Sequence, residues 1–218
     1  GLIGTELAGD IAAYSKKAGK ETEVTLVHAH NHLCPEFREG AARMVESKLE
    51  KLGVKVVLNE KAIEKDGKMV LQTAGKELEA DEVIKVIGLT AKNEFIKIAG
   101  ALNEKGFIET DKYFRVNGSK GNVFAFGDCC ATLPNSGAQI NGNAGYIAHN
   151  IKTVLEGKVK ENDTSALKAF QEGMAAAIAT TGPDGGVFQS PWFYTQYFLP
   201  WFKNYTMTLM VAKMAGFG

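Results

Sequence analysis

Two glycines at the start of the sequence constrain the fold more than any other feature. Gly1 and Gly4, in GLIGTELAGD, have the spacing of the second and third glycines of G-x-G-x-x-G. This motif joins a strand to a helix: its middle glycine lets the backbone approach a pyrophosphate, and its last glycine lets the helix pack close to the sheet. The first glycine and the preceding strand are not in the sequence. We therefore expect a dinucleotide-binding domain that lacks its first strand and belongs to a longer chain.

The residues after these glycines alternate between helical and strand-like patterns. Apolar residues recur at helical spacing in two stretches, and a short run typical of a buried strand follows each of them. The order helix, strand, helix, strand indicates half of a doubly wound α/β sheet. The helical stretches are 5–19 and 36–53, and the strand-like runs are 23–28 and 54–59.

Short alternating segments over 61–87 predict small antiparallel strands, followed by a buried strand that ends at Gly88. We assign residues 1–90 to the nucleotide-binding domain on this basis. The fold class expected for this part is α/β, a doubly wound dinucleotide-binding domain that is incomplete because its first strand is missing.

The segment NVFAFGDCCA, over 122–131, is the most specific feature of the second half. An apolar strand is predicted to stop at Gly127 and Asp128, before a helix within 136–157. Such a strand end can bring a carboxylate to the ribityl hydroxyls of a flavin, and the glycine permits a close backbone approach. Alternatively, Asp128 caps a helix or a turn. We expect 91–160 to be the C-terminal part of an FAD-binding domain.

The remainder, 161–218, is expected to be a C-terminal helical or interface segment. Helix is predicted over 163–180, a turn over 180–186 and an aromatic-rich tail over 187–218. Aromatic residues with scattered lysines suit a membrane interface, and they equally suit packing on the flavin domain or on a partner protein. The sequence leaves these alternatives open.

Glu6 and His28 are candidate site residues in the N-terminal half. Glu6, in the first turn of the first helix, either adds a favourable charge at the helix N-terminus or contacts a nicotinamide. His28 ends the first strand-like run, where an acid would bind the ribose hydroxyls of NAD. Because no acid stands there, we expect relaxed selectivity or NADPH use. The alternatives are that His28, His30 and His32 are exposed loop residues, or that they bind zinc.

Composition excludes two classes of function. Lysine plus arginine balance aspartate plus glutamate at 25 each, without a basic run, so there is no electrostatic case for nucleic acid. Three cysteines without a C-x-x-C spacing support neither a disulfide scaffold nor a thioredoxin-reductase-type dithiol. We expect reduced, structural cysteines in an intracellular protein.

Five motifs, in this order, resemble those of flavin-dependent pyridine-nucleotide oxidoreductases. They are GLIGTELAGD, EVTLVH, DEVIKVIGLTAKN, GFIETD…RV and NVFAFGDCCA. The C-terminal stretch GPDGGVFQSPWF…FLPWFK is similar to that of apoptosis-inducing-factor-like flavoproteins of the ferroptosis-suppressor type, which are relatives of type II NADH:quinone oxidoreductases. The resemblance covers essentially the whole chain.

The resemblance implies that NAD(P)H reduces an FAD, and that the flavin reduces a quinone or similar acceptor at a membrane surface. Glu6 would be the catalytic residue on the NAD(P)H side, while Gly127 and Asp128 would bind FAD. The residues that would bind NAD(P)H are Gly1, Gly4, His28 and Gly88.

The implied location is intracellular, peripheral on an organelle membrane, with residues 187–218 facing the membrane or partner subunits. The front half of the family's FAD-binding domain is not in this sequence. The alternative function is therefore a catalytically inactive accessory or structural subunit of a larger membrane-associated complex.

Overall fold

The structure, a computed structural model, describes residues 1–131, 137–159, 164–173 and 176–197. The chain divides into two compact units. The first unit comprises Gly1–Gly88 with Ala175–Gly218, and the second comprises Leu89–Met174. Segment 161–218 is thus divided between the two units. The functions expected for segments 1–90, 91–160 and 161–218 stay predictions.

The first unit begins with the expected alternation of helices and strands. Helix α1 and strand β1 are followed by α2 and β2, and the two strands pair in parallel, with Leu26 opposite Val56. One face of α2 is apolar at helical spacing, and its Val45 and Leu49 are fully buried. This order confirms the α/β prediction. The elements are α1 (Leu2–Lys17), β1 (Thr25–Val27), α2 (Glu39–Lys51) and β2 (Lys55–Val57).

Three short antiparallel strands follow, as predicted: β3 (Ala62–Lys65), β4 (Lys68–Leu71) and β5 (Glu77–Leu78). The predicted buried strand ending at Gly88 is wrong. Residues 82–88 lie in no strand, and Ile87 is 92% exposed. The apolar pattern is strand-like, but this backbone pairs with no other part of the chain that the structure describes, so no sheet covers its side chains.

A second antiparallel sheet completes the first unit. It contains β6 (Ala177–Thr180), β7 (Gly186–Gln189) and β8 (Tyr194–Thr195), with β6 against α1 and β7 against α2. The predicted helix over 163–180 is therefore wrong, whereas the predicted turn separates β6 from β7. Strand β6 is short and gains its stability from packing, since its Ala179 joins the core of the helices.

The second unit contains one helix, α3 (Gly137–Leu155), in its described residues, in agreement with the predicted helix. The predicted strand within 122–131 is wrong, because Phe124 makes only an isolated bridge to Arg115. Loops and single bridges surround a small core that includes Ile108 and Cys130. The apolar residues within 122–131 therefore indicate burial and not a continuous strand.

Two buried asparagines join α3 to an extended segment of the second unit. Asn150 Nδ2 donates to the carbonyls of Tyr113 and Lys168, at 3.1 and 2.8 Å, and its Oδ1 accepts from Lys168 N at 2.8 Å. Asn143 makes the same two-way contact with Gln171, at 3.0 and 2.8 Å. These amides replace the backbone partners that a neighbouring strand would supply.

Candidate functional site

The first turn of α1 has the features of an anion-binding helix start. Gly1 is the N-cap residue, no side chain in the described part of the chain caps the helix, and no acidic residue lies in the first turn. The amides of this turn therefore remain available to a phosphate, and the helix dipole adds to the attraction. No atom of the described residues lies within 4 Å of the position where Gly1 would carry a Cβ.

Gly4 permits close packing between this helix and its neighbours. A Cβ on Gly4 would lie 2.8 Å from Val86 Cγ2 and 3.6 Å from Leu26 Cδ1. This is the part that the last glycine of the motif plays in a dinucleotide-binding unit. The segment before Gly88 thus passes the first turn of α1, and Gly88 itself is exposed with a φ of 106°.

Glu6 lies one turn later than the sequence predicts. It is the fifth residue of α1, which begins at Leu2, so it is not a first-turn charge. Its Oε1 accepts hydrogen bonds from Thr180 N at 2.9 Å and from Thr180 Oγ1 at 2.8 Å. The carboxylate therefore anchors β6 to α1. Sequence reasoning missed Thr180 because no local pattern links residues so far apart in the chain.

His28 follows β1 directly, and its backbone N–H donates to the carbonyl of Val57 at 2.8 Å. The half-buried ring packs edge-on against His30, with 5.3 Å between the ring centroids, and its buried Nε2 has no hydrogen-bond partner among the described residues. Burial, followed by the neighbouring His30 and His32, lowers the pKa of His28 to about 4. The ring is therefore neutral at pH 7.

The zinc alternative for the three histidines finds no support. Across residues 1–131, 137–159, 164–173 and 176–197, no group of three or more histidine, cysteine, aspartate or glutamate side chains is placed to hold a metal ion.

In the same described residues, the structure contains no helix that is both long and apolar enough to span a membrane.

Gly127 and Asp128 form a turn in the second unit. Gly127 is buried with a φ of 87°, and its carbonyl accepts from Cys130 N at 2.9 Å. Such a φ favours glycine. Asp128 is exposed and makes no hydrogen bond or ion pair to another described residue, so it does not cap α3 or the turn within that part of the chain. Its carboxylate can accept hydrogen bonds from a ligand such as the ribityl chain of a flavin.

Comparison with known proteins identifies the family. Residues 1–165 match the family model for pyridine nucleotide-disulphide oxidoreductases. The chain is 24% identical over 202 residues to apoptosis-inducing factor 1 of Saccharomyces cerevisiae, covering 88% of this chain and 53% of the relative. It is 35% identical over 135 residues to a nitric oxide reductase FlRd-NAD(+) reductase of Pectobacterium atrosepticum, covering 59% of this chain and 33% of that protein.

A solved structure shows the same fold. NDH2 from Plasmodium falciparum, in complex with NADH, superposes with a TM-score of 0.66 at 14% sequence identity, covering 98% of this chain and 60% of that one. The chain thus spans between a third and somewhat more than half the length of these proteins. Because the family model matches well over half of the 218 residues, the chain belongs to the pyridine nucleotide-disulphide oxidoreductase family, whose members use FAD and NAD(P)H.

Proposed function

We propose that this protein is an FAD-dependent NAD(P)H oxidoreductase that delivers electrons to a quinone-type acceptor at a membrane surface. The observation that carries the proposal is Asp128, an exposed carboxylate held directly after a glycine with positive φ, without a partner among the described residues. Membership of the family supports the two cofactors. The quinone and the membrane rest on the resemblance to type II NADH:quinone oxidoreductases.

The first unit would hold the pyridine nucleotide. The uncapped amides at the start of α1 would bind the pyrophosphate, with Gly1 leaving room for it. Gly4 lets α1 lie close to Leu26 and Val86. Glu6 is held by Thr180, so its carboxylate has a defined position one turn from the phosphate site. We assign it to orienting the nicotinamide end of the cofactor.

The second unit would hold part of the flavin. Asp128 would accept hydrogen bonds from the ribityl hydroxyls, and the absence of a side chain on Gly127 would allow the cofactor to approach the turn. When bound, FAD supplies the redox chemistry, taking a hydride from NAD(P)H and passing electrons onward. The protein's part is to position the cofactor and to shape its surroundings.

The nucleotide preference proposed here is relaxed. His28 stands where an acid would favour NAD, and its ring is neutral at pH 7, so it neither repels nor attracts a 2′-phosphate by charge. NADH and NADPH would therefore both be accepted. Gly88 would contribute by leaving the chain beside the first turn of α1 unobstructed.

Exposed aromatic side chains near β8 would provide the contact with a membrane. Aromatic rings are favoured at the membrane–water interface, where their apolar bodies and polar edges are both accommodated. We propose a peripheral location on an intracellular organelle membrane on this basis. The rest of the aromatic tail, 198–218, lies outside the described residues. The exposed rings are Trp192, Phe193, Tyr194 and Tyr197.

The test is the flavin content of the full-length protein. Asp128→Ala should lower the ratio of bound flavin to protein, because the ribityl hydroxyls lose their acceptor. Asp81→Ala is the matched control, since Asp81 is also an exposed aspartate but lies in the first unit. Stoichiometric flavin in Asp128→Ala would remove Asp128 from the site, and a wild-type protein without flavin would favour the accessory-subunit alternative.

An assay of short-chain quinone reduction by NADH tests the proposed acceptor independently of the proposed cofactors. The flavin-loaded wild-type protein should oxidise NADH faster when the quinone is added. A flavin-loaded protein that oxidises NADH but leaves the quinone unreduced would retain the family chemistry and overturn the proposed acceptor.

A further inference from the structure

Two adjacent thiols in the second unit form a feature that the proposed function does not use. Side chains of consecutive residues commonly point in different directions. At Cys129 and Cys130 the chain turns instead, and their Sγ atoms lie 3.7 Å apart. We propose that Cys129 and Cys130 form a chelating dithiol site for a soft, thiophilic species of the trivalent arsenic class.

The backbone holds this pair in place before any ligand arrives. Cys130 N donates to the carbonyl of Gly127 at 2.9 Å, which closes the turn. The Cys129 carbonyl accepts from Ile108 N at 2.9 Å and from Asn93 Nδ2 at 3.0 Å. Because the backbone of Cys130 is fixed within the turn and that of Cys129 is bonded to other segments, little backbone freedom remains to be lost when one atom binds both sulfurs.

The two thiols differ in access. Cys129 is half-buried, whereas Cys130 is 1% exposed in the core formed with Ala101, Ile108 and Val116. Burial raises the pKa of Cys130 to about 12, so this thiol stays protonated at pH 7. Reagents that need a thiolate should therefore react slowly there.

The net reaction with an arsenical needs no free thiolate, because it consumes two thiols and returns water. With phenylarsine oxide, two arsenic–sulfur bonds form, the arsenic–oxygen bond breaks, and the oxygen leaves as water with both thiol protons. Arsenic remains trivalent and neither sulfur is oxidised, so no other reactant is required. The first contact would be made by Cys129 and the ring would close on Cys130.

Cys34 supplies a matched control within the chain. It is also fully buried, but the nearest polar partner of its sulfur is a hydroxyl, Thr5 Oγ1 at 3.6 Å, rather than a second sulfur. A single thiol cannot chelate. Comparison with Cys34 therefore separates a dithiol site from general reactivity of buried cysteines.

The experiment measures adducts of phenylarsine oxide by intact mass under native conditions. Wild type and Cys34→Ser should each take up one phenylarsenic group, which excess 2-mercaptoethanol leaves in place and 2,3-dimercaptopropanol removes. Cys129→Ser should bind at least about 100-fold more weakly, because the second bond is then no longer intramolecular. Cys130→Ala should do the same, and it avoids placing a hydroxyl in the core.

Three outcomes would overturn the proposal. These are a wild-type protein without the adduct, an adduct that survives in folded Cys129→Ser, and an adduct that disappears in Cys34→Ser. Circular dichroism of each variant establishes that it is folded. Because Cys129 is partly exposed, Cys129→Ser decides the matter even if the Cys130 variant fails to fold. The result does not depend on flavin binding, so it stands apart from the proposed enzymatic function.

Discussion

The carboxylate of Glu6 accepts two hydrogen bonds from Thr180, one from its backbone N–H at 2.9 Å and one from its hydroxyl at 2.8 Å. Glu6 belongs to α1 and Thr180 is the last residue of β6, so the contact joins the N-terminal helix to a strand 174 positions away. The helix proposed to bind the nucleotide is therefore fixed in part by the C-terminal sheet.

Replacing Thr180 by valine should lower the free energy of unfolding by about 1–2 kcal/mol, since a hydrogen bond to a charged acceptor is lost while the shape of the side chain is kept. Urea denaturation of wild type, Thr180→Val, Glu6→Ala and the double variant measures the coupling. The double variant should be less destabilised than the sum of the two singles. Strictly additive effects would mean that the two side chains do not act together.

Two glycines of α1 should respond differently to the same substitution. A Cβ on Gly9 would lie 2.8 Å from the backbone N of Gly182 and 3.0 Å from Thr181 Cα, and the backbone of the β6–β7 turn cannot move without disturbing the sheet. Gly9→Ala should therefore destabilise the protein by about 2 kcal/mol or more, despite the better helix propensity of alanine.

Gly4→Ala is the matched control on the same helix. Its new methyl would meet Val86 Cγ2 at 2.8 Å, but Val86 belongs to the exposed segment that joins no strand and can shift. The change in the free energy of unfolding should stay within about 1 kcal/mol, because the gain in helix propensity offsets the contact. Equal effects at the two glycines in thermal unfolding would contradict the packing described for Gly9.

The elements that the sequence predicts correctly carry their own local signal. Helix α2 shows a complete apolar face, and β1 and β2 are short runs at the correct distance from it. Strand β6 has no such signal: it is a strand because it packs on α1 and pairs with β7. The segment 82–88 shows the reverse, since its strand-like pattern does not meet a partner strand among the described residues.

In the candidate site, too, the residues with a local sequence signal could be predicted and those that depend on tertiary contacts could not. Gly127 could be selected from sequence because its positive φ favours glycine, and Gly4 because α1 approaches Leu26 and Val86 there; their roles in binding cofactors stay predictions. The partner of Glu6 could not be selected, because it depends on a tertiary contact. The hydrogen-bonding asparagines of α3 were missed for the same reason: asparagine within a helix indicates nothing until the segment beside it is known.

Asn150→Leu should be strongly destabilising. The side chain is fully buried, and its loss leaves Lys168 without partners for its N–H and carbonyl, and the Tyr113 carbonyl without its donor. A cost of about 3 kcal/mol or more is expected from unpaired buried groups. Asn141→Leu, at an exposed position of the same helix, should change thermal unfolding little. Similar losses of stability in the two variants would show that the effect comes from helix composition and not from these hydrogen bonds.

His28→Glu tests the place of His28 in nucleotide selection. An acid at the end of β1 should bind the ribose hydroxyls of NADH and repel the 2′-phosphate of NADPH. The ratio of kcat/KM for NADH to that for NADPH should therefore rise by about 10-fold or more, a difference of about 1.4 kcal/mol. His30→Glu, two residues away and exposed, is the control. An unchanged ratio in His28→Glu would remove His28 from the site.

His28 should also make stability depend on pH. Burial and the neighbouring His30 and His32 lower its pKa from 6.5 to about 4 in the folded protein. Between these values the unfolded chain binds a proton that the folded protein does not, so the free energy of unfolding increases with pH across this window. The contribution is complete above pH 6.5 and is lost as the pH falls towards 4.

Urea denaturation at pH 4.5 and pH 7 should therefore show a smaller pH dependence for His28→Gln than for wild type, since glutamine does not titrate. The imidazole resonances of His28, followed by NMR, should titrate with a midpoint near 4 rather than 6.5. Equal pH dependence of the two proteins, or a midpoint near 6.5, would mean that the ring is solvated. His28 would then be partly charged at neutral pH and could attract a 2′-phosphate.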